Sequence, residues 1–360
     1  MKHVTEYRDK EKATALVKSI VDVAGDKTMT IMEVCGTHTM ALARFGIRQM
    51  LPSNIRLISG PGCPVCVTPN NYLDHAIALG HRGNTTICTF GDMMRVPGST
   101  SSLERERAAG CDIRIVYSTL DALAFARKNP GRDTIFLGVG FETTAPTIAA
   151  SIKIASDEGL KNYSVLSANK AVPPALLALV SGPLMIDGFI LPGHVSTIIG
   201  ARAYRPLFDA HKIAGAIAGF EPLDMLEGIF EIAKQVTSDH PTLSNSYKRV
   251  VTEEGNLNAQ ALLDEIFETC DTEWRGVGTI PASGLAIREK YSEYDAAKKF
   301  DVEIEPTVEP KGCRCGEILT GSIRPADCPL FGNTCTPAHP VGACMVSSEG
   351  TCAAYFKYEF

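Results

Sequence analysis

A chain of 360 residues, 45% hydrophobic and 21% charged, holds enough apolar material for two or three packed domains. Its net charge of −6 leaves no basic surplus for nucleic acid or an anionic membrane, and no apolar run reaches the roughly 18 residues that cross a bilayer. Met1-Lys2-His3-Val4-Thr5-Glu6 contains no signal-peptide core, so a soluble, cytoplasmic protein is expected, in which twelve cysteines point to metal or redox use rather than structural disulfides.

Residues 1–25 read as a charged helical segment, Val4 to Ala24. Short β-branched runs then alternate with helical stretches. The runs are Met29 to Val34, Ile55 to Ile58, Thr85 to Phe90 and Asp112 to Tyr117; the stretches lie around Thr39 to Arg48, Asn70 to Leu79 and Ser101 to Ala109. Apolar strands with crossover helices describe a parallel sheet covered on both faces, here a first α/β domain over 26–120. The pattern restarts with Thr134 to Val139, Tyr163 to Leu166, Ile186 to Leu191 and Ile213 to Ile217, a second and similar α/β domain over 121–222. Residues 223–360 begin with helical patterns at Leu223 to Val236 and Asn258 to Cys270, flanking a strand-like Tyr247 to Val251. A Pro- and Glu-bearing connector, Val302 to Pro310, leads into a cysteine-rich tail that lacks periodic pattern and is expected to fold around something other than its own core.

The stretch Gly60-Pro61-Gly62-Cys63-Pro64-Val65-Cys66 places two thiols on a strand-to-helix turn whose glycines give backbone freedom and whose prolines fix φ. Two cysteines separated by two residues there indicate redox or metal chemistry, and a helix N-terminus favours the thiolate. Ligands of open α/β sheets collect at the carboxyl ends of strands. The first strand ends in Cys35-Gly36-Thr37-His38, so if the first two strands are neighbours, Cys35, Cys63, Cys66 and His38 converge in one crevice as a candidate transition-metal site. Asp92 and Arg95, after the third strand, could orient a bound group. The turn Gly138-Val139-Gly140-Phe141-Glu142-Thr143-Thr144 matches a dinucleotide loop only in part, and His194 in Pro192-Gly193-His194-Val195-Ser196 sits at another strand end.

The tail holds Cys313, Cys315, Cys328, Cys335, Cys344 and Cys352. It has one closely spaced pair where finger-type zinc sites need two, whereas six thiols supply four ligands for an iron–sulfur cluster and leave two as a redox dithiol. A thioredoxin-like protein-disulfide reductase centred on Cys63 and Cys66 is the competing class, and its signature would be that pair without Cys35 or the tail.

Taken in order, Cys35-Gly-Thr-His38, Gly60-Pro-Gly-Cys63-Pro-Val-Cys66, Gly140-Phe-Glu-Thr-Thr-Ala-Pro146, Pro192-Gly-His-Val-Ser196 and the Cys313-to-Cys352 tail resemble the HypD family of hydrogenase maturation factors, from about Glu33 to the C-terminus. The resemblance implies two similar parallel-sheet α/β domains plus a C-terminal iron–sulfur domain related in arrangement to ferredoxin:thioredoxin reductase. It implies a scaffold and redox metallochaperone that binds iron and builds the Fe(CN)2CO moiety of [NiFe] hydrogenases. A HypC-type small chaperone and a HypE-type cyanide donor would be its partners, with the hydrogenase large subunit as the eventual recipient. Carried over, Cys35 is the iron-binding thiol beside Cys63 and Cys66. Cys313, Cys328, Cys335 and Cys352 ligate a [4Fe–4S] cluster, and Cys315 and Cys344 form the dithiol, with Cys344 and Cys352 exchangeable between these roles.

Overall fold

The computed structural model describes residues 5–182 and 185–360; the first four residues of the expected N-terminal segment, Val4 included, lie outside that description. The strands are β1 (Met29–Glu33), β2 (Ile55–Ser59), β3 (Thr85–Thr89), β4 (Ile113–Ile115), β5 (Asp133–Gly138), β6 (Tyr163–Ser167), β7 (Gly188–Pro192), β8 (Ala214–Ala218) and β9 (Leu243–Asn245), followed by β10 (Phe267–Trp274) and β11 (Gly278–Ile287). The first nine form two all-parallel sheets, ordered β2-β1-β7-β8-β9 and β4-β3-β5-β6. Every residue of β3, β7 and β8 is buried, as expected where helices cover both faces.

The α/β class expected from periodicity is present, but the strands are shared out differently from the sequential halves 26–120 and 121–222. The chain lays down β1 and β2, crosses to build the whole of the second sheet from β3 to β6, and returns to add β7 to β9 to the first. Each sheet thus draws on both halves. The physical reason is that buried parallel strands all read as short apolar runs, and nothing in such a run names its neighbour.

This routing puts a reversal of strand order between β1 and β7 in one sheet and between β3 and β5 in the other. Crevices open at the carboxyl ends beside such reversals. The turns that follow these strands carry Cys35, His194, Asp92 and Glu142.

The helix Lys10–Ala24 starts on Asp9, whose carboxylate accepts the N–H groups of Glu11 and Lys12. It buries Ile20 and Ala24 in the same core as the long helix Pro222–Thr237, which packs on β7 and β8. Farther along, the expected helix over Asn258 to Cys270 stops at Ile266. From Phe267 the alternation Phe-Glu-Thr-Cys-Asp-Thr-Glu-Trp wins, giving β10 paired antiparallel with β11. Tyr247 to Val251 is a turn rather than a strand: the N–H groups of Val250 and Val251 both reach the carbonyl of Tyr247.

The tail lies over the carboxyl ends of both sheets. Thr37 donates its hydroxyl to Glu349 at 2.6 Å, Ser347 to Asp92 at 2.7 Å, and Arg48 bonds Glu359 at 2.8 Å, while Arg95 reaches the carbonyl of Pro337. No helix among the described residues is long and apolar enough to cross a membrane.

Candidate functional site

β1 and β2 pair in register from Met29/Ile55 to Glu33/Ser59, so the turns that follow them meet. Cys35 is the extended N-cap of the helix Gly36–Arg44, with φ −150°. The N–H of Gly36 donates to the carbonyl of Gly62 at 2.9 Å, which fixes the Gly60-to-Cys63 turn directly against Cys35. Cys63 caps the short helix Pro64–Val67: its sulfur accepts the N–H of Cys66 at 3.2 Å, and the two cysteines are joined as a disulfide with Cα atoms 5.2 Å apart. The expected convergence of Cys35 with the thiol pair is therefore present. All three are buried, Cys35 at 8%, Cys63 at 3% and Cys66 at 0% relative exposure.

Burial pushes the Cys35 thiol up to about 12, with Glu349 and Glu33 adding to the rise against the helix N–H groups of His38 and Thr37. Desolvation here outweighs the helix terminus. Behind it stands Glu33, a buried carboxylate at the end of β1 that accepts from the Cys35 N–H at 3.2 Å and the Thr39 hydroxyl at 2.6 Å. Desolvation raises it to about 7, opposed mainly by the Arg48 guanidinium 3.7 Å away.

His38 is fully buried, and burial lowers it to about 4, so the ring is neutral. Its Nε2 lies 2.9 Å from the carbonyl of Gly219, which makes Nε2 the protonated nitrogen. Nδ1 is buried without a partner. The ring stacks on Phe220 at 4.7 Å, and Phe220 stacks on the exposed His194 at 4.0 Å, so two strand-end histidines share one aromatic sandwich.

Glu142 is buried, with Oε1 accepting the N–H of Val172 at 2.9 Å and Oε2 unpartnered. A buried carboxyl group occupies the turn where a phosphate would have to sit in a nucleotide cradle.

All six tail cysteines line a single cavity whose other walls include Ile318, Phe331 and Met345. The sulfurs of Cys315 and Cys344 are 2.6 Å apart. Hydrogen bonds from the Cys313 and Cys344 thiols hold Cys315 well below the ordinary thiol range and push those two up. Gly342 passes so close to Cys313 that a Cβ there would fall 2.7 Å from its sulfur, and the N–H of Val341 bonds the Cys335 sulfur at 3.3 Å.

The turn Ala343–Met345, which carries Cys344, packs on Pro64–Val67, which carries Cys66, and Cys63, Cys66, Cys315, Cys328, Cys335, Cys344 and Cys352 belong to one continuous buried cluster against which the partly buried Cys313 packs. Sequence reasoning missed what clamps this junction. Arg275 donates its backbone N–H to Val67 at 2.9 Å and its Nε to the carbonyl of Thr68 at 2.7 Å, while Gly276 abuts Gly316. Its guanidinium is buried, and neither terminal nitrogen has a partner. Nothing in Trp274-Arg275-Gly276 marks it out. Glu33 did carry a signal, being a carboxylate at the end of a largely apolar strand.

A family model described as "HypD: Hydrogenase formation hypA family" matches residues 11–359. The hydrogenase maturation factor HypD2 of Bradyrhizobium diazoefficiens is 45% identical over 99% of this chain and 97% of its own. HypD of Azotobacter vinelandii is 46% identical over the same shares, and a putative hydrogenase expression/formation protein of Methanocaldococcus jannaschii is 44% identical over 96% and 97%.

Proposed function

The chain belongs to the HypD family of hydrogenase maturation factors, and from that premise we propose that it is the scaffold on which the Fe(CN)2CO unit of [NiFe] hydrogenases is assembled. Iron is the substrate. Cys35, together with Cys63 and Cys66 once their disulfide is opened, supplies soft thiolate ligands, and Nδ1 of His38 is a further donor. The observation that carries this reading is the packing of the Cys63–Cys66 turn onto Cys35 through the Gly36–Gly62 hydrogen bond, with all three cysteines nearly closed to water. Burial keeps Cys35 protonated until a cation arrives; a dication at the sulfur then replaces the proton.

The tail fits a [4Fe–4S] cluster, since six thiols surround one apolar-walled cavity and four suffice. Cys313, Cys328, Cys335 and Cys352 would hold it, and when bound it would supply single electrons at low potential. Cys315 and Cys344 remain as a dithiol. Attack by one of these thiolates on the Cys63–Cys66 bond forms a mixed disulfide and releases one crevice thiolate. The second tail thiolate then closes the Cys315–Cys344 bond and frees the other crevice sulfur, so two electrons move and no further reductant is consumed. The contact of the Cys344 turn with the Cys66 turn supports this exchange.

A HypC-type small chaperone, a HypE-type cyanide donor and, downstream, the hydrogenase large subunit are the partners of this proposal, with the cytoplasm as its site. A reductase of other proteins' disulfides would need Cys63 or Cys66 within reach of a partner; their burial favours internal exchange instead. The test is infrared spectroscopy of the chain purified with its small chaperone. Cyanide and CO stretching bands are expected in the native complex and absent from Cys35→Ala, with the iron and sulfide content of the tail unchanged. Undiminished bands in Cys35→Ala would overturn the assignment.

A further inference from the structure

Away from the sulfur pairs, His81, Glu106 and Cys111 bring an imidazole, a carboxylate and a thiol together, their ligand atoms all within 4.8 Å of one another. Local backbone geometry explains why. The helix Leu103–Ala108 ends in a Schellman motif: the N–H of Cys111 bonds the carbonyl of Glu106 at 3.0 Å, that of Gly110 bonds Arg107 at 3.2 Å, and Gly110 takes φ +109°. Such a closure sets a residue of the last helical turn against the second residue past the C-cap, and that pair is ordinarily apolar. Here it is a carboxylate and a thiol, Cys111 Sγ lying 4.0 Å from Glu106 Oε2. His81 ends the helix Asn70–Gly80 and places Nε2 at 2.6 Å from the same oxygen.

We propose that His81, Glu106 and Cys111 form a surface site for a divalent transition ion of the zinc or ferrous class, with one coordination position left to solvent. Around a tetrahedral ion with bonds of about 2.0–2.3 Å, neighbouring donors stand roughly 3.3–3.6 Å apart. The present separations reach that by small side-chain rotations, chiefly of His81, whose side chain is 56% exposed. A neutral imidazole, a carboxylate and a thiolate match the charge of a dication and suit a borderline metal better than calcium or magnesium. Binding releases the Cys111 thiol proton to water and forms a sulfur–metal bond, with no change of oxidation state. The ion enters from solvent without opening the fold.

The test uses the full chain, purified anaerobically, with Co2+ and Zn2+ as probes. Thiolate-to-cobalt charge-transfer absorption and zinc competition against a chromophoric chelator are compared in the native protein and in His81→Ala, Glu106→Gln and Cys111→Ser. Cys270→Ser, on β10, controls for loss of a cysteine elsewhere. The native chain and Cys270→Ser are expected to bind one ion more than Cys111→Ser. Affinity at that site should fall at least about tenfold in His81→Ala and Glu106→Gln, with circular dichroism unchanged. Equal stoichiometry, affinity and charge-transfer intensity in the native chain and Cys111→Ser would overturn the site and leave His81–Glu106 an ordinary surface ion pair.

Discussion

Gly62 is pressed against Cys35: a Cβ at position 62 would fall 2.1 Å from the Cys35 nitrogen and 2.4 Å from its Cα. Both contacts are with backbone, which cannot rotate away. Gly62→Ala should therefore push the Cys63–Cys66 turn off the Cys35 turn, at a cost of about 1–3 kcal/mol or more. A lowered denaturation midpoint together with weakened infrared bands of the bound iron unit is the expected result. A native midpoint with full bands would show that the two turns are not coupled in this way.

Glu142 gives a prediction with pH. Its folded pKa is raised from 4.5 to about 7, first by burial, with only its own and the Val172 backbone N–H groups opposing. A raised carboxyl binds its proton more tightly in the folded than in the unfolded state, so its contribution to stability is complete below about pH 4.5 and is lost as pH rises through 7. The full loss is up to about 3 kcal/mol. Glu142→Gln keeps an oxygen for the Val172 N–H and cannot ionise. Urea denaturation at pH 5 and pH 8 should show a smaller decline in this variant than in the native chain. Identical declines would mean that Glu142 does not titrate in this range.

Much of this was legible in the sequence. Strand positions follow from short β-branched runs, and the pairing of Cys35 with Cys63 and Cys66 follows from the strand-end rule once β1 and β2 are neighbours. The assignment of strands to sheets was not legible, because the crossing from β2 to β3 and back from β6 to β7 leaves no mark in an apolar run. Arg275 and Glu349 were also hidden, since each acts only through residues distant in the chain: Val67 and Thr68 for the first, Thr37 for the second. The helix expected through Cys270 failed for a different reason, the switch of period at Phe267.

If the tail holds the proposed cluster, its order should depend on that metal. Cys328→Ala or Cys335→Ala is expected to lose the brown chromophore and to expose residues beyond Pro310 to protease, because ligation supplies much of the folding free energy of such a segment. Short turns and the helices Cys315–Leu319 and Thr351–Tyr358 are all the regular structure it has. Iron and sulfide content and limited proteolysis are read side by side. Four irons with unchanged resistance in either variant would require a different ligand set.

The most direct measurement concerns the junction between the Cys344 turn and the Cys66 turn. The full chain and Cys315→Ser are treated anaerobically with a low-potential one-electron reductant, then alkylated, and Cys63 and Cys66 are mapped by mass spectrometry at successive times. Cys315→Ser should keep its iron and sulfide yet stop short of two free crevice thiols, because Cys344 alone can form the mixed disulfide but no second tail sulfur remains to resolve it. If Cys63 and Cys66 are reduced as fast in Cys315→Ser as in the native chain, the tail does not feed the crevice and the account of one coupled thiol system fails.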